Sequence, residues 1–205
     1  MLQRFIISCL LVGVLQSCSL GLTRGLVAQP PSEVTFQNPY FANTALDYVY
    51  KAQLQVYGNS FGGIMVVKKT GSETHRVVFT TEMGKTLFDF EFQKEALQIR
   101  YIIEALDRKL LIGVLENDFK MMLSQTQFPV EMFPKQDVTL YKVPDDKRWR
   151  FYEFSNPSDQ LKRIIQTSRY KKKVVINFTE ISDDRAKKIK IEHFNLKLTI
   201  DLYSL

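Results

Sequence analysis

Few residues of this sequence have the types and spacing that covalent or metal chemistry requires. The two histidines, His75 and His193, stand alone in predicted strands, and no nucleophile is spaced as in a known hydrolase motif. The acidic doublets at 145–146 and 183–184 could bind calcium, but such doublets more simply form turns. The sequence therefore predicts no catalytic residue, no metal site and no cofactor, and we expect a protein that is not an enzyme.

Cys18 is the residue best placed for chemical modification. Residues 5–14 are almost wholly apolar, Arg4 precedes them, and Ser17 stands immediately before Cys18. This layout is typical of a secretory signal, and a cysteine directly after a small residue resembles the lipobox of bacterial lipoproteins. The resemblance implies that residues 1–17 are a signal peptide and that Cys18 is acylated. An ordinary secretory signal with a chance cysteine is the alternative, whereas the apolar run is too short to be a transmembrane anchor.

The residues after Cys18 indicate where such a lipoprotein would reside. Ser19 follows the cysteine, which resembles outer-membrane sorting, and no acidic cluster of the kind used for surface export comes next. We therefore expect a lipid-anchored protein on the periplasmic face of the outer membrane. The remaining cysteine, Cys9, lies in the export segment, so no disulfide is expected.

The charge balance favours an anionic surface as a partner. The net charge is +6, and removal of Arg4 with the signal lowers it by one to +5. A mild basic excess suits lipid head groups, and no aromatic–basic motif indicates binding to nucleic acid. Residues 169–173 form a basic turn, which is either a solvated hairpin tip or a point of contact with head groups.

The hydrophobic pattern predicts a mostly β domain. Residues 18–45 are rich in turn-forming residues and predict a lipidated cysteine with a flexible tether. Alternating apolar and polar residues predict about eleven strands over residues 46–205, and a helical period predicts one helix over 106–125. So many consecutive strands form a curved antiparallel half-barrel, and the helix would cover its concave face as a lid.

The strands hold more apolar residues than one helix can cover, which predicts a cavity for an apolar ligand. A fully packed core without a cavity is the alternative. The residues assigned to the wall lie on the apolar faces of two strands, and those assigned to the lid lie on the helix. They are Phe88, Phe90, Phe92, Leu198, Ile200 and Leu202 in the wall and Leu111, Val114 and Met122 in the lid.

Met83 is out of place at a turn tip, between Glu82 and Gly84. An apolar side chain held there could enter a bilayer or a groove of a partner. It could equally fold back on its own hairpin.

Residues 63–90, and the turn Thr81-Glu82-Met83-Gly84 within them, resemble the outer-membrane lipoprotein receptor family LolB. That family has a Thr-x-Pro-Leu-Gly-like tip, and here Glu82 replaces the proline and Met83 the leucine. The resemblance implies a half-open barrel with a helical lid and a cavity for acyl chains. It also implies a receptor that takes lipoproteins from a periplasmic LolA-like carrier and inserts them into outer-membrane lipid, with Met83 entering the membrane.

Two classes of function follow. The first is a LolB-type receptor that binds the acyl chains of lipoproteins and helps to insert them. The second is a non-enzymatic envelope lipoprotein that acts as a scaffold or assembly factor, which a closed and packed interior would favour.

Overall fold

The computed structural model describes residues 21–205 apart from 95, 147, 169–170 and 183–184. The predicted signal peptide and Cys18 lie outside the described residues. Within them the chain forms one helix and fourteen strands. The strands are β1 (Phe36–Gln37), β2 (Asp47–Val56), β3 (Asn59–Gly71), β4 (Thr74–Thr80), β5 (Thr86–Gln93), β6 (Ala96–Ile102), β7 (Thr126–Gln127), β8 (Glu131–Pro134), β9 (Val138–Asp145), β10 (Arg148–Ser155), β11 (Leu161–Thr167), β12 (Lys172–Ser182), β13 (Arg185–His193) and β14 (Leu198–Ser204), and the helix is α1 (Lys109–Leu123).

Twelve strands form one antiparallel sheet in the order β6-β5-β4-β3-β2-β14-β13-β12-β11-β10-β9-β8. One meander runs from β2 to β6 and a second runs from β8 to β14. They meet in the middle of the sheet, where β2 pairs with β14. The edge strands β6 and β8 do not pair with each other, so the curved sheet stays open. The predicted fold class, a mostly β half-barrel with a helical lid, is confirmed, with twelve strands in the sheet instead of about eleven.

Alternation along the strands gives the sheet one face that is buried almost throughout. In β14, Leu198, Ile200 and Leu202 are buried, whereas Tyr203 is exposed. Their partners across β2 are apolar in the same register, as in the pair Ile200 and Leu54. A one-residue slip would turn every one of these side chains to the other face, so burial fixes the register.

Helix α1 lies on this concave face and begins three residues later than predicted. Leu106 is buried in the turn before the helix, whose first residue is Lys109. Leu111, Leu115, Phe119 and Met122 are buried along one stripe, at the spacing of an amphipathic helix.

The prediction of a flexible tether over residues 18–45 is wrong for most of the described residues in this range, because they pack on both faces of the sheet. Leu22 and Leu26 contact a second apolar cluster that includes Phe151. Phe36 contacts Tyr152, the next residue of β10, whose side chain lies on the concave face. Between them, Gln29 forms a β-bridge with Met132 of the edge strand β8. The N-terminal segment therefore wraps around this edge.

Candidate functional site: the covered concave face

All nine residues predicted as wall and lid lie in one apolar core on the concave face. Val114 is partly buried, and the exposed fraction of the other eight side chains is 5% or less. The sequence therefore placed each of them on the correct face. In the described structure these side chains belong to one contiguous apolar cluster.

Aromatic contacts join the lid to the wall. The rings of Phe88 and Phe90 are stacked with their centroids 4.5 Å apart. Phe119 of α1 lies over this strand, with its ring 6.0 Å from Phe88 and 5.9 Å from Phe92. The helix is thus held mainly by apolar burial, since a ring contact contributes only about 1 kcal/mol beyond its area.

Residues 36–41 cover the rest of the concave face, and we call them the N-terminal plug. Tyr40 is stacked on Phe178 at 4.3 Å and donates its hydroxyl hydrogen to the Leu161 carbonyl at 2.5 Å. Phe41 packs edge-on against Tyr48 at 5.0 Å. Its carbonyl lies 3.0 Å from Nε2 of His75, whose pKa is lowered by burial. No local pattern predicts the plug, because its residues show neither strand alternation nor a helical period.

The plug is also bonded to the end of the helix. The Asn38 amide donates to the Met122 carbonyl at 2.9 Å and to the Ser124 carbonyl at 3.3 Å. Gln125 donates its side-chain amide to the Tyr40 carbonyl at 2.9 Å. The short strands β1 and β7 pair with each other and not with the main sheet. The helix end and the plug therefore form one cover, which no strand ladder joins to the sheet.

A polar pair lies under the helix, within an interior that is mostly apolar. Nε2 of His193 is 2.8 Å from Oδ2 of Asp118, and the two side chains are 3% and 0% exposed. Burial raises the pKa of Asp118, and the hydrogen bond with His193 opposes that rise. The partner of His193 is 75 residues away, so the sequence could not identify it.

The polar pair continues into a network beside it. Gln166 of β11 donates to Asn117 of α1 at 2.8 Å and to Asp145 at 2.6 Å, and Arg150 donates to Asp145 at 2.6 Å. Among the described residues, Arg150 Nε and the Tyr152 hydroxyl find no hydrogen-bond partner, and burial raises the pKa of Tyr152 to about 12. The network fixes where the helix sits on the sheet, because each misplaced polar group would be left unpaired and buried.

Two openings lead towards the covered face. A cleft of about 470 Å³ lies beside the plug and is bounded by Phe36, Tyr40 and Phe154. A groove of about 340 Å³ is lined by Leu196, Leu198 and His193, between the turn joining β2 and β3 and the turn joining β13 and β14. Of the nine predicted residues, only Leu198 lines either of these openings.

Met83 is held away from the domain by a tight turn. Its side chain is 95% exposed. Thr81 and Lys85 close the turn through a backbone hydrogen bond of 2.8 Å, and Gly84 adopts a φ of +83°. An ion pair of 3.2 Å between Lys51 and Glu82 ties the turn to β2. The side chain therefore does not fold back on its own hairpin.

No helix in the described part of the chain is long and apolar enough to cross a membrane. The described residues also contain no group of three or more histidine, cysteine, aspartate or glutamate side chains that could hold a metal ion.

Comparison with known proteins identifies the fold. No protein-family model matches the sequence, and no curated protein matches it. Among solved structures, the chain is similar to a LolA superfamily protein from Nitrosomonas europaea, with a TM-score of 0.53, 8% identity, and coverage of 82% of this chain and 88% of that one. The class that the fold defines is thus the LolA type, an open sheet with a helical lid.

Two further structures are similar at lower scores. One is a putative outer membrane lipoprotein-sorting protein domain from Vibrio parahaemolyticus, with a TM-score of 0.42, 7% identity, and coverage of 77% of this chain and 82% of that one. The other is a DUF1329 family protein from Desulfovibrio piger, with a TM-score of 0.40, 6% identity, and coverage of 78% and 83%.

Proposed function

We propose that this protein binds the acyl chains of lipoproteins on its concave face, after the cover has moved aside. One observation carries the proposal. The apolar face of a LolA-type sheet is covered by a helix and a plug that are bonded to each other, and neither belongs to the twelve-stranded ladder. The cover can therefore leave without breaking the sheet.

The energies favour such an exchange. Exposing Phe36, Tyr40 and Phe41 would cost roughly 5–9 kcal/mol, at about 1.5–3 kcal/mol for each apolar side chain. A saturated chain of about 16 carbons would gain roughly 12 kcal/mol on burial, at about 0.8 kcal/mol for each methylene. Burial of one acyl chain from water would therefore offset the exposure of these three plug side chains.

The finer role that we propose is that of a LolB-type receptor. Lipid on Cys18 would hold the domain at the periplasmic face of the outer membrane. The domain would accept lipoproteins from a LolA-like carrier and, without acting as an enzyme, pass them to outer-membrane lipid. The exposed Met83 supports this role, since its turn holds an apolar side chain in solvent, where it is 95% exposed.

Native mass spectrometry tests acyl binding directly. The chain carrying Cys18→Ser is incubated with a lipoprotein peptide in its acylated and unacylated forms. We expect a complex with the acylated peptide only. Binding of neither peptide by a folded chain would reject the proposal.

A pair of matched variants tests the route. Phe41→Ala removes a buried plug side chain on the concave face, and Phe133→Ala removes a buried side chain of the cluster on the opposite face. Each should lower the free energy of unfolding by about 3–5 kcal/mol. Only Phe41→Ala should strengthen acyl binding, because only it reduces the cost of opening. Equal acyl affinity in the two variants would show that the plug does not guard the site.

The second candidate is an envelope scaffold, which is favoured by the packing of the predicted wall and lid residues in one buried cluster. A scaffold would bind neither peptide, and Phe41→Ala would then change stability alone.

A further inference from the structure

Three neighbouring hairpin turns lie at one end of the sheet, between the β4–β5 turn that carries Met83 and the β9–β10 turn. They join β2 to β3, β13 to β14 and β11 to β12, and these strand pairs are adjacent in the sheet order. Tyr57 donates its backbone hydrogen to Lys197 at 2.9 Å, and Phe194 donates to Lys173 at 2.9 Å. Since strands are about 4.8 Å apart, successive turns lie about 10 Å apart. We call the described residues of these turns the rim: 57–60, 168, 171–173 and 194–197.

The rim presents two exposed aromatic rings at its turns. Tyr57 is 52% exposed and Phe194 is 61% exposed. Tyr57 also has a φ of +48°, in the left-handed region where a bulky residue is unfavourable and glycine or asparagine is usual. The chain thus keeps a strained aromatic residue at a tip where a small polar residue would fold more easily. The groove of about 340 Å³ opens between these two turns.

The charge of the rim has one sign. Lys171, Lys172, Lys173 and Lys197 belong to it, and the rim as defined contains no acidic residue. None of these four lysines forms an ion pair with a described residue. Glu192, which precedes the rim on β13, is paired with Lys190 at 2.8 Å. Within the described part of the rim, the positive charge is therefore uncompensated.

We propose that the rim docks on the surface of a bilayer that contains anionic lipids. Aromatic rings are favoured at the level of the head groups, and lysines near an anionic surface strengthen binding. The combination fits a membrane better than an acidic protein groove, because Tyr57 and Phe194 project from separate turns and do not form one continuous apolar patch. The Met83 turn lies at the same end of the sheet but is not part of the rim. The proposal holds whether or not the interior binds acyl chains.

A site-specific tryptophan tests the contact. The full chain carries Cys18→Ser and Trp149→Phe, and either Phe194→Trp or, as a control, Tyr203→Trp at the opposite end of β14. Each protein is mixed with vesicles of phosphatidylethanolamine and phosphatidylglycerol that contain brominated acyl chains. We expect a blue-shifted emission and strong quenching for the probe at 194, and little change at 203. If the probe at 194 is quenched no more than the probe at 203, the proposal is overturned. That result would also be obtained if residues 1–17 alone brought the chain to the vesicle.

The lysines are tested in the same assay. Lys171→Gln and Lys197→Gln should each weaken binding, so that about fivefold more vesicles are required for the same quenching at 194. Lys135→Gln and Lys187→Gln, which remove exposed lysines outside the rim, should leave it unchanged. Equal quenching with neutral phosphatidylcholine vesicles, or an equal effect of all four substitutions, would refute the role of the rim lysines.

Discussion

Replacing Asn38 by alanine should separate the plug from the helix. The Asn38 side chain is 1% exposed and bonds to the carbonyls of Met122 and Ser124, and its own oxygen accepts from the Tyr40 backbone at 3.1 Å. Asn38→Ala leaves these groups unpaired in the interior. At about 1 kcal/mol for each bond, and more for a group left buried, the free energy of unfolding should fall by about 2–4 kcal/mol.

Urea unfolding measures this loss. With a denaturant slope of about 2 kcal/mol per molar, the midpoint should fall by about 1–2 M. Asn43→Ala is the matched control, because the Asn43 oxygen makes one exposed bond, to the Ala45 backbone at 2.8 Å. Its midpoint should fall by less than about 0.5 M. Hydrogen exchange should also become faster in the last turn of α1 for Asn38→Ala alone. Equal, small shifts for the two variants would show that the plug and the helix are not one cover.

Three further predictions concern the turn, the plug and the sheet. Met83→Glu should leave the unfolding midpoint unchanged but reduce delivery of a lipoprotein to outer-membrane vesicles by about tenfold or more. Met83→Leu should preserve delivery, and normal delivery by Met83→Glu would remove this residue from the mechanism. Burial lowers the pKa of His75, so near and below pH 6.5 the folded protein binds fewer protons at this residue than the unfolded chain does. The free energy of unfolding therefore falls as the pH falls, and in urea unfolding His75→Gln should flatten this dependence between pH 7 and 5. Gly63→Ala should lower the free energy of unfolding by about 1–3 kcal/mol, since its Cβ would overlap the Thr80 carbonyl. Gly113→Ala, which has open space on the helix, should raise the free energy of unfolding by about 0.5–1 kcal/mol. The opposite order in thermal unfolding would refute the packing described for β3.

The sequence predicts the sheet well because alternation is a local signal. Phe88, Phe90 and Phe92 alternate with acidic residues, and their burial follows from that pattern alone. Helix α1 was equally recognisable from its apolar period, and only its ends shifted, since Leu106 is buried in a turn and not in the helix.

The cover and its polar pair could not be predicted in the same way. Tyr40 and Phe41 lie among prolines and asparagines, which indicate a loop, and their burial depends on a concave surface built from residues far along the chain. The contact of Asp118 with His193 likewise requires the helix to cross a curved sheet at one particular position. Such contacts are set by tertiary geometry, which no local period records.

The path of the N-terminal segment limits how far the domain can reach. A free tether over residues 18–45 would extend to roughly 95 Å, but Leu22 already packs on the sheet. A lipid on Cys18 would then be joined to the domain by about four residues, which span at most about 14 Å. The domain would lie against its own bilayer, and a lipoprotein carrier would have to cross the periplasm to meet it there.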